Sequence, residues 1–138
     1  MITAKQAQTF AEDWIASWNA HDLERILAHY TDDFEMSSPY IVEIVGEPSG
    51  VLKGKAAIGA YWAKALAKLP DLRFELIEVL TGAGSVAISY YGRGRRRACE
   101  VFFFDSSEKV NAQLRSAISA RKRRKQAPRA RARQRRAD

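Results

Sequence analysis

The chain has 138 residues, 46% of them apolar, so it is long enough for one domain with its own hydrophobic core. No apolar run approaches the roughly 20 residues that a membrane-spanning helix needs, and the first residues lack the apolar segment of a secretory signal. The single cysteine, Cys99, excludes an internal disulfide framework, and these absences make the cytoplasm the default expectation.

The formal net charge of +7 is unevenly distributed along the chain. Residues 1–114 contain 12 basic and 15 acidic side chains, whereas residues 115–138 contain 11 basic side chains and one acidic side chain. The basic character therefore belongs to the C-terminal segment, and any prediction of nucleic-acid binding concerns that segment alone.

Two helices are predicted at the start of the chain. Thr3 can cap the first helix, with Gln6 as its capping-box partner, and apolar residues recur at helical spacing as far as Trp18. Asp22 can cap a short second helix over 23–30. Both predicted helices have one apolar side, which indicates that they pack on a common core.

The next segment mixes extended and helical patterns. A turn is predicted at 31–33, a strand at 34–38 and a second extended piece at 40–45, where β-branched residues are dense. A third helix is predicted over 56–69, and Pro70 ends it. A strand meander follows, with strands predicted at 72–80, 86–91, 96–104 and 110–114. This order predicts an α+β fold with helices on one face of an antiparallel sheet.

Three segments within residues 1–110 carry a resemblance to a known superfamily: FAEDWIASWNAHDLERILAHYTDDFEMSSP, GVLKGKAAIGAYWAKAL and RRACEVFFFD. The pattern W-N-x-x-D-L followed by Y-x-D-D-F resembles the NTF2-like superfamily, and within it the SnoaL-like, polyketide-cyclase-related group. The resemblance implies a cone in which three N-terminal helices pack on a curved, mainly antiparallel sheet around a blind pocket. It also implies a homodimer formed through the outer face of the sheet.

The superfamily includes ketosteroid isomerase, limonene-epoxide hydrolase, scytalone dehydratase and polyketide cyclases, as well as members without catalysis, so the fold does not name the reaction. By resemblance to ketosteroid isomerase, Ser38 stands where that enzyme has its proton-shuttling acid. Trp14 stands in place of its oxyanion-binding tyrosine, and Glu100 in place of its second acid. Because a serine hydroxyl cannot take a proton from carbon without a strong partner base, steroid-type isomerisation is disfavoured.

Glu100 is the main catalytic candidate in the sequence. It alternates with Ala98 and Phe102, so these side chains share one face of a predicted strand. If that face lines the pocket, burial raises the pKa of Glu100 and suits it to general acid or base work. In the alternative, Glu100 faces solvent and the residues at 99, 101 and 103 form the core. The resemblance favours the pocket.

Tyr90 is the second catalytic candidate, as a phenol that can donate a hydrogen bond to a ligand. The expected ligand is a small apolar organic molecule, and the side chains predicted to touch it are Trp14, Trp18, Met36, Ser38, Trp62 and Phe102. No metal or cofactor is predicted, because the two histidines lack HxH or HExxH spacing and GRGR is not a dinucleotide fingerprint.

Arg93 and the run Arg95 to Arg97 lie at a predicted hairpin. They can meet an anion at the mouth of the pocket, or they can form a solvated tip whose charges resist edge-to-edge association. The second alternative is favoured from sequence.

The chain is divided into a SnoaL-like domain over 1–114 and an Arg-rich tail over 115–138, which is predicted to be disordered or partly helical. A basic cluster in the tail is a weak candidate for nucleic-acid binding by charge alone, since no aromatic residue interleaves with it: Arg121, Lys122, Arg123 and Arg124. Alternatively, the tail results from translation of a GC-rich gene in an altered reading frame and is not a selected functional segment.

Two functions stay open for the domain. The first is a cofactor-independent isomerase, cyclase or hydrolase that uses general acid/base chemistry. The second is a protein that binds a ligand without catalysis, which the serine at position 38 favours.

Overall fold

A computed structural model describes residues 2–118. Within this range the helices are α1 (Ala4–Asn19), α2 (Leu23–Leu27) and α3 (Lys55–Lys68). The strands are β1 (Tyr30–Ser37), β2 (Val51–Lys53), β3 (Glu75–Thr81), β4 (Ser85–Tyr91), β5 (Arg97–Phe104) and β6 (Val110–Ala117). A π-helical turn (Ile41–Val45) follows β1, and a short 3-10 turn (Arg93–Arg95) joins β4 to β5.

The six strands form one open, mixed sheet in the order β2-β1-β6-β5-β4-β3. Neighbouring strands are antiparallel except β1 and β6, which pair in parallel. The helices cover one face of the sheet, and the buried core lies between that face and α1 and α3. The predicted α+β architecture is therefore confirmed, and no helix within residues 2–118 is long and apolar enough to cross a membrane.

The W-N-x-x-D-L segment joins the helical layer to the sheet. The side chain of Asn19 donates to the carbonyl oxygen of Phe74 at 2.9 Å and accepts from the backbone N–H of Phe74 at 2.7 Å. Asp22 caps α2 by accepting from the backbone N–H of Arg25 at 3.1 Å. The predicted capping box of α1 is also present, between Thr3 and Gln6. The two hydrogen bonds of Asn19 fix the start of β3 beneath α1, and the caps fix the starts of the two helices.

The first strand begins earlier than the sequence predicts. β1 starts at Tyr30, so the second helix is shorter than predicted and the predicted turn at 31–33 is wrong. The physical reason is the parallel pairing with β6, in which Tyr30 lies opposite Val110. This long-range ladder overrides the local turn preference of Asp32 and Asp33, both of which are exposed.

The segment predicted as a second extended piece at 40–45 is instead the π-helical turn. Pro39 precedes it, and Gly46, with φ of 77°, ends it in the left-handed conformation that glycine adopts without strain. Only Ile41 of the turn is fully buried. Within residues 2–118 the β-branched residues of the turn also have no strand partner, which would be needed to favour an extended conformation. The turn therefore adds no strand to the sheet.

The last strand runs to Ala117, beyond the predicted end at 114. β6 is a central strand with β1 on one side and β5 on the other. Its pairing with β1 ends at Leu114, but its pairing with β5 continues to Ala117, which lies opposite Ala98. The tail from 119 onward, including the predicted nucleic-acid candidates Arg121, Lys122, Arg123 and Arg124, lies outside the described residues.

Candidate functional site

A cavity of about 440 Å³ lies between α1, α3, the π-helical turn and the inner face of β4, β5 and β6. Its walls are mainly aromatic and aliphatic, and they include Trp14, Trp18, Met36, Trp62, Phe74 and Tyr90. Exposed residues on the π-helical turn, the β4–β5 connection and the end of β6 mark its mouth. The volume and the apolar walls are typical of a small-molecule pocket.

Glu100 lies in this cavity on β5. Its side chain faces the helices together with Ala98 and Phe102, and Glu100 is 2% exposed, whereas Phe103 on the opposite face is 40% exposed. The alternative in which Glu100 faces solvent is therefore wrong. A buried carboxyl of this kind is costly unless its oxygens have partners.

Both carboxyl oxygens of Glu100 accept hydrogen bonds. The Tyr90 hydroxyl donates to Oε1 at 2.9 Å, and the Gln113 side-chain amide donates to Oε2 at 2.8 Å. The chain of donors continues beyond Gln113, because the Tyr30 hydroxyl donates to Gln113 Oε1 and the Trp14 indole N–H donates to the Tyr30 oxygen at 3.0 Å. Each of these side chains is buried, so the network fixes the orientation of the carboxyl.

Arg115 on β6 supplies the positive charge next to Glu100. Its Nε lies 3.7 Å from Glu100 Oε1, and its guanidinium group sits 4.8 Å above the centre of the Tyr40 ring. Arg115 Nε is buried and has no hydrogen-bond partner among the described residues. The contact with Glu100 is therefore a charge pair without a hydrogen bond at that nitrogen.

Burial is the largest influence on the pKa of both catalytic candidates. Burial raises the pKa of the Glu100 carboxyl, while Arg115 and the hydrogen bonds from Gln113 and Tyr90 act in the opposite direction. Burial, with the nearby Glu100 charge, raises the pKa of Tyr90 well above its usual value. Tyr90 is thus a donor that keeps its proton, and Glu100 is the group that titrates more readily.

The structure brings most of the predicted site residues together, but not all. Trp14, Trp18, Met36 and Trp62 line the cavity with Glu100 and Tyr90.

Two predicted ligand contacts lie outside the cavity lining. Ser38 is buried, and its hydroxyl oxygen accepts from the backbone N–H of Tyr40 at 3.2 Å. Phe102 is fully buried between the rings of Phe10 and Trp14, with centroid distances of 4.9 Å and 5.2 Å. Ser38 therefore shapes the start of the π-helical turn, and Phe102 forms the core behind the cavity.

Sequence reasoning missed Gln113 and Arg115, the two β6 residues that contact Glu100. The signal was present as the alternation Ala112, Gln113, Leu114, Arg115. Its usual interpretation puts leucine inside and the polar residues outside, and the structure has the reverse: Gln113 is 1% exposed and Leu114 is 45% exposed. The need of Glu100 for partners accounts for this inversion.

Arg93, Arg96 and Arg97 lie at the mouth of the cavity and form part of its lining. Arg95 does not: its guanidinium group lies 3.5 Å from a carboxylate oxygen of Glu75 and 4.7 Å from the centre of the Tyr91 ring. The hairpin run therefore divides into three residues that belong to the rim of the cavity and one that lies against Glu75 and Tyr91. Across residues 2–118, no group of three or more His, Cys, Asp or Glu side chains is placed to hold a metal ion.

The sequence profile of the SnoaL-like domain matches residues 11–132. A crystal structure of a SnoaL-like protein of unknown function from Burkholderia thailandensis is 53% identical; the match covers 86% of this chain and 98% of that one, with a TM-score of 0.84. No curated protein sequence matches the chain at a significant level.

Two more distant structures share the fold. One is SalBIII, an epoxide hydrolase/cyclase-like enzyme in pyran ring formation in the polyether salinomycin, at 18% identity, with 85% and 94% of the two chains covered and a TM-score of 0.66. The other, from Agrobacterium tumefaciens, is described as a candidate isomerase of the SnoaL-like family, at 18% identity, with 83% and 99% covered and a TM-score of 0.67. With the profile match and the close Burkholderia relative, the chain belongs to the SnoaL-like family of the NTF2-like fold.

Proposed function

We propose that the cavity binds a small, largely apolar organic molecule and that Glu100 and Tyr90 transform it without a cofactor. The reaction class is that of an isomerase, cyclase or hydrolase working by general acid/base chemistry. The observation that supports this proposal is a single buried carboxyl, with a raised pKa, inside a cavity with aromatic walls. The epoxide hydrolase/cyclase-like and isomerase descriptions of distant relatives agree with that class, but at their level of identity they support only the fold.

The contact between Glu100 and Tyr90 couples the base to the donor. In the ionised state, Glu100 Oε1 accepts the hydrogen of the Tyr90 hydroxyl. When Glu100 takes a proton from a substrate carbon or hydroxyl, the resulting carboxylic O–H can donate to the Tyr90 oxygen. The Tyr90 hydrogen is then free to bond the substrate oxygen on which negative charge develops. Proton removal and stabilisation of the product anion would thus occur through one hydrogen-bonded pair.

A second candidate function is ligand binding without catalysis. Among the residues of 2–118 that line the cavity, Glu100 is the one carboxylate, and Ser38 lies outside the lining. Reactions that need two acids at the site are therefore disfavoured, and a ligand carrier remains compatible with the geometry. Turnover distinguishes the two candidates, whereas binding alone does not.

A cavity-filling substitution tests whether the cavity is the ligand site. We expect Ala65→Trp to weaken binding of small molecules, because Ala65 lines the cavity and an indole there takes up part of its volume. Ala67→Trp is the matched control, since Ala67 is exposed on the same helix and lies outside the lining. Native mass spectrometry of co-purifying molecules and a thermal-shift screen measure the effect. Equal ligand retention by both variants would remove the cavity from the proposal.

We also propose that the outer face of the sheet joins two copies of the chain. One row of paired positions crosses four strands on that face, formed by Leu80, Ala87, Val101 and Leu114. Leu80 is 58% exposed and Leu114 is 45% exposed, so the row presents apolar surface that a single copy leaves uncovered. The row crosses the middle of the sheet, so two copies packed face to face would cover each other's apolar strip.

The oligomeric state tests this interface. Leu114→Glu is expected to convert a dimer to a monomer, because it buries an unpaired charge within the apolar row of the interface. Val45→Glu is the control, since Val45 is also exposed but lies on the π-helical turn. Light scattering coupled to size-exclusion chromatography reports the mass over a range of concentrations. A parent chain that is monomeric at all concentrations would exclude the interface.

The free thiol of Cys99 is compatible with the reducing cytoplasm, and we propose that compartment for the protein.

A further inference from the structure

The charged residues that line the cavity are strongly unbalanced. Between residues 2 and 118 they are four arginines and one glutamate: Arg93, Arg96, Arg97, Arg115 and Glu100. Residues 1–114 as a whole carry more acidic than basic side chains, so within that range Arg93, Arg96 and Arg97 form a local concentration of positive charge. A cleft lined by one sign of charge raises the local concentration of the opposite charge.

The deepest arginine is already neutralised. Arg115 faces Glu100 at 3.7 Å, and both carboxyl oxygens of Glu100 are bonded to Tyr90 and Gln113. An anionic ligand group would therefore find no free cation at the closed end of the cavity. In the part of the chain that the structure describes, it would also meet no carboxylate at the mouth, because Glu100 is the one acidic residue in the lining there.

The arginines at the mouth are held on a fixed hairpin. The backbone N–H of Gly92 donates to the Arg96 carbonyl oxygen at 2.7 Å, which closes the connection between β4 and β5. Arg95 takes a positive φ of 56°, and its side chain lies against Glu75 and Tyr91. Within residues 2–118, the remaining three arginines of the hairpin form no ion pair with a carboxylate.

The rest of the mouth is apolar. Ile44 is 61% exposed and Ile118 is 58% exposed, and both belong to the cavity lining. The polarity of the site therefore changes along its axis, from a closed aromatic interior to a rim of apolar and cationic side chains. A matching ligand has an apolar body and one anionic group at its outer end.

We propose that the ligand is an organic anion, with its apolar body among the aromatic walls and a carboxylate-type group held at the mouth by Arg93, Arg96 and Arg97. This inference rests on the proposed function and names the chemical class of its ligand. Guanidinium groups are suited to this role because they stay charged and present paired donors to a carboxylate.

A pair of probes with the same body tests the proposal. Naphthylacetate and naphthylacetamide differ in charge but hardly in size, and titration calorimetry of the full-length chain measures the affinity of each. We expect the carboxylate to bind about tenfold more tightly than the amide, since each exposed ion pair contributes up to about fivefold in affinity. The triple variant R93Q/R96Q/R97Q is expected to lose this preference while its affinity for the amide stays within about twofold.

R95Q is the matched control, because it removes the same charge from the same hairpin but from the side that faces Glu75. The preference for the carboxylate should persist in R95Q and should weaken as salt is raised. Equal binding of the two probes by the parent chain, or an equal loss of preference in R95Q, would overturn the inference while leaving the proposed function in place. Failure of both probes to bind would overturn both proposals.

Discussion

Glu100→Gln is expected to lower the rate of proton removal from carbon in the cavity by about a hundredfold or more, the usual range for loss of a general base. Nitrobenzisoxazole is a suitable probe, because one base removes its C–H proton and the N–O bond then breaks to give a coloured phenolate. The amide of glutamine keeps the shape of the side chain and can still accept the hydrogen bond from Tyr90, but it cannot take a proton at neutral pH. Binding of the probe is therefore expected to persist.

The matched control for this experiment is Glu78→Gln. Glu78 is exposed on β3, and it lies outside the cavity lining. Its replacement should leave the rate within about twofold of the parent, as expected for a surface substitution. A parent chain with no rate above the background, or a Glu100→Gln variant as active as the parent, would leave ligand binding as the function.

As pH rises through the pKa of Glu100, the catalytic rate is expected to rise and the contribution of Glu100 to stability is expected to fall. A general base must be ionised, so the rate of the parent is expected to rise with pH through the pKa of Glu100, which lies above its ordinary value of 4.5. A carboxyl whose pKa is raised in the folded state binds its proton more tightly there than in the unfolded chain. Its contribution to stability is thus present below pH 4.5 and is lost as pH rises through the raised pKa. Denaturant unfolding of the parent and of Glu100→Gln over this window measures the difference.

Trp14→Ala is expected to lower the free energy of unfolding by about 3–5 kcal/mol, the range for truncating a fully buried large aromatic side chain. Trp14 is 1% exposed. The centre of its ring lies 5.8 Å from the centre of the Phe74 ring and 5.2 Å from the centre of the Phe102 ring. The substitution also removes the donor to the Tyr30 oxygen at the end of the network that holds Glu100. Part of the loss is therefore packing, and part is the polar network.

Trp14→Phe separates these two contributions. It keeps an aromatic ring on α1 but removes the N–H, and we expect a loss of about 1–2 kcal/mol. Urea unfolding followed by far-UV circular dichroism measures both variants without relying on tryptophan fluorescence. If alanine costs less than about 1 kcal/mol, Trp14 is not the centre of the core that its burial indicates.

The fold was largely predictable because its signals are local. Helical spacing of apolar residues, the Thr3 and Asp22 caps and the alternation along β5 each depend on neighbouring residues, and the structure contains them close to the predicted positions. The errors lie where distant pairing decides. The start of β1 at Tyr30 and the length of β6 both follow from the parallel ladder between those strands, which no local pattern specifies.

The candidate site was predictable only in part, for a related reason. Glu100 was identifiable because an acidic residue on an apolar strand face is unusual. Its partners were not, because Gln113 and Arg115 are polar residues on the buried face of a strand on which the neighbouring Leu114 faces outward. Alternation indicates which residues share a face, but the identity of the inner face is set by the neighbouring strand. Here Glu100 on β5 lies opposite Arg115 on β6.

The central position of β6 has a consequence for biosynthesis. It leaves the ribosome after the other five strands of residues 2–118, yet it pairs with β1, the earliest of them, and with β5. The nascent domain therefore has two unpaired strand edges, one on β1 and one on β5, until β6 has been translated, a state that favours association with other chains. A chain truncated before Val110 would keep both strand edges unpaired. Glu100 would then also lack Arg115, the positively charged residue beside it.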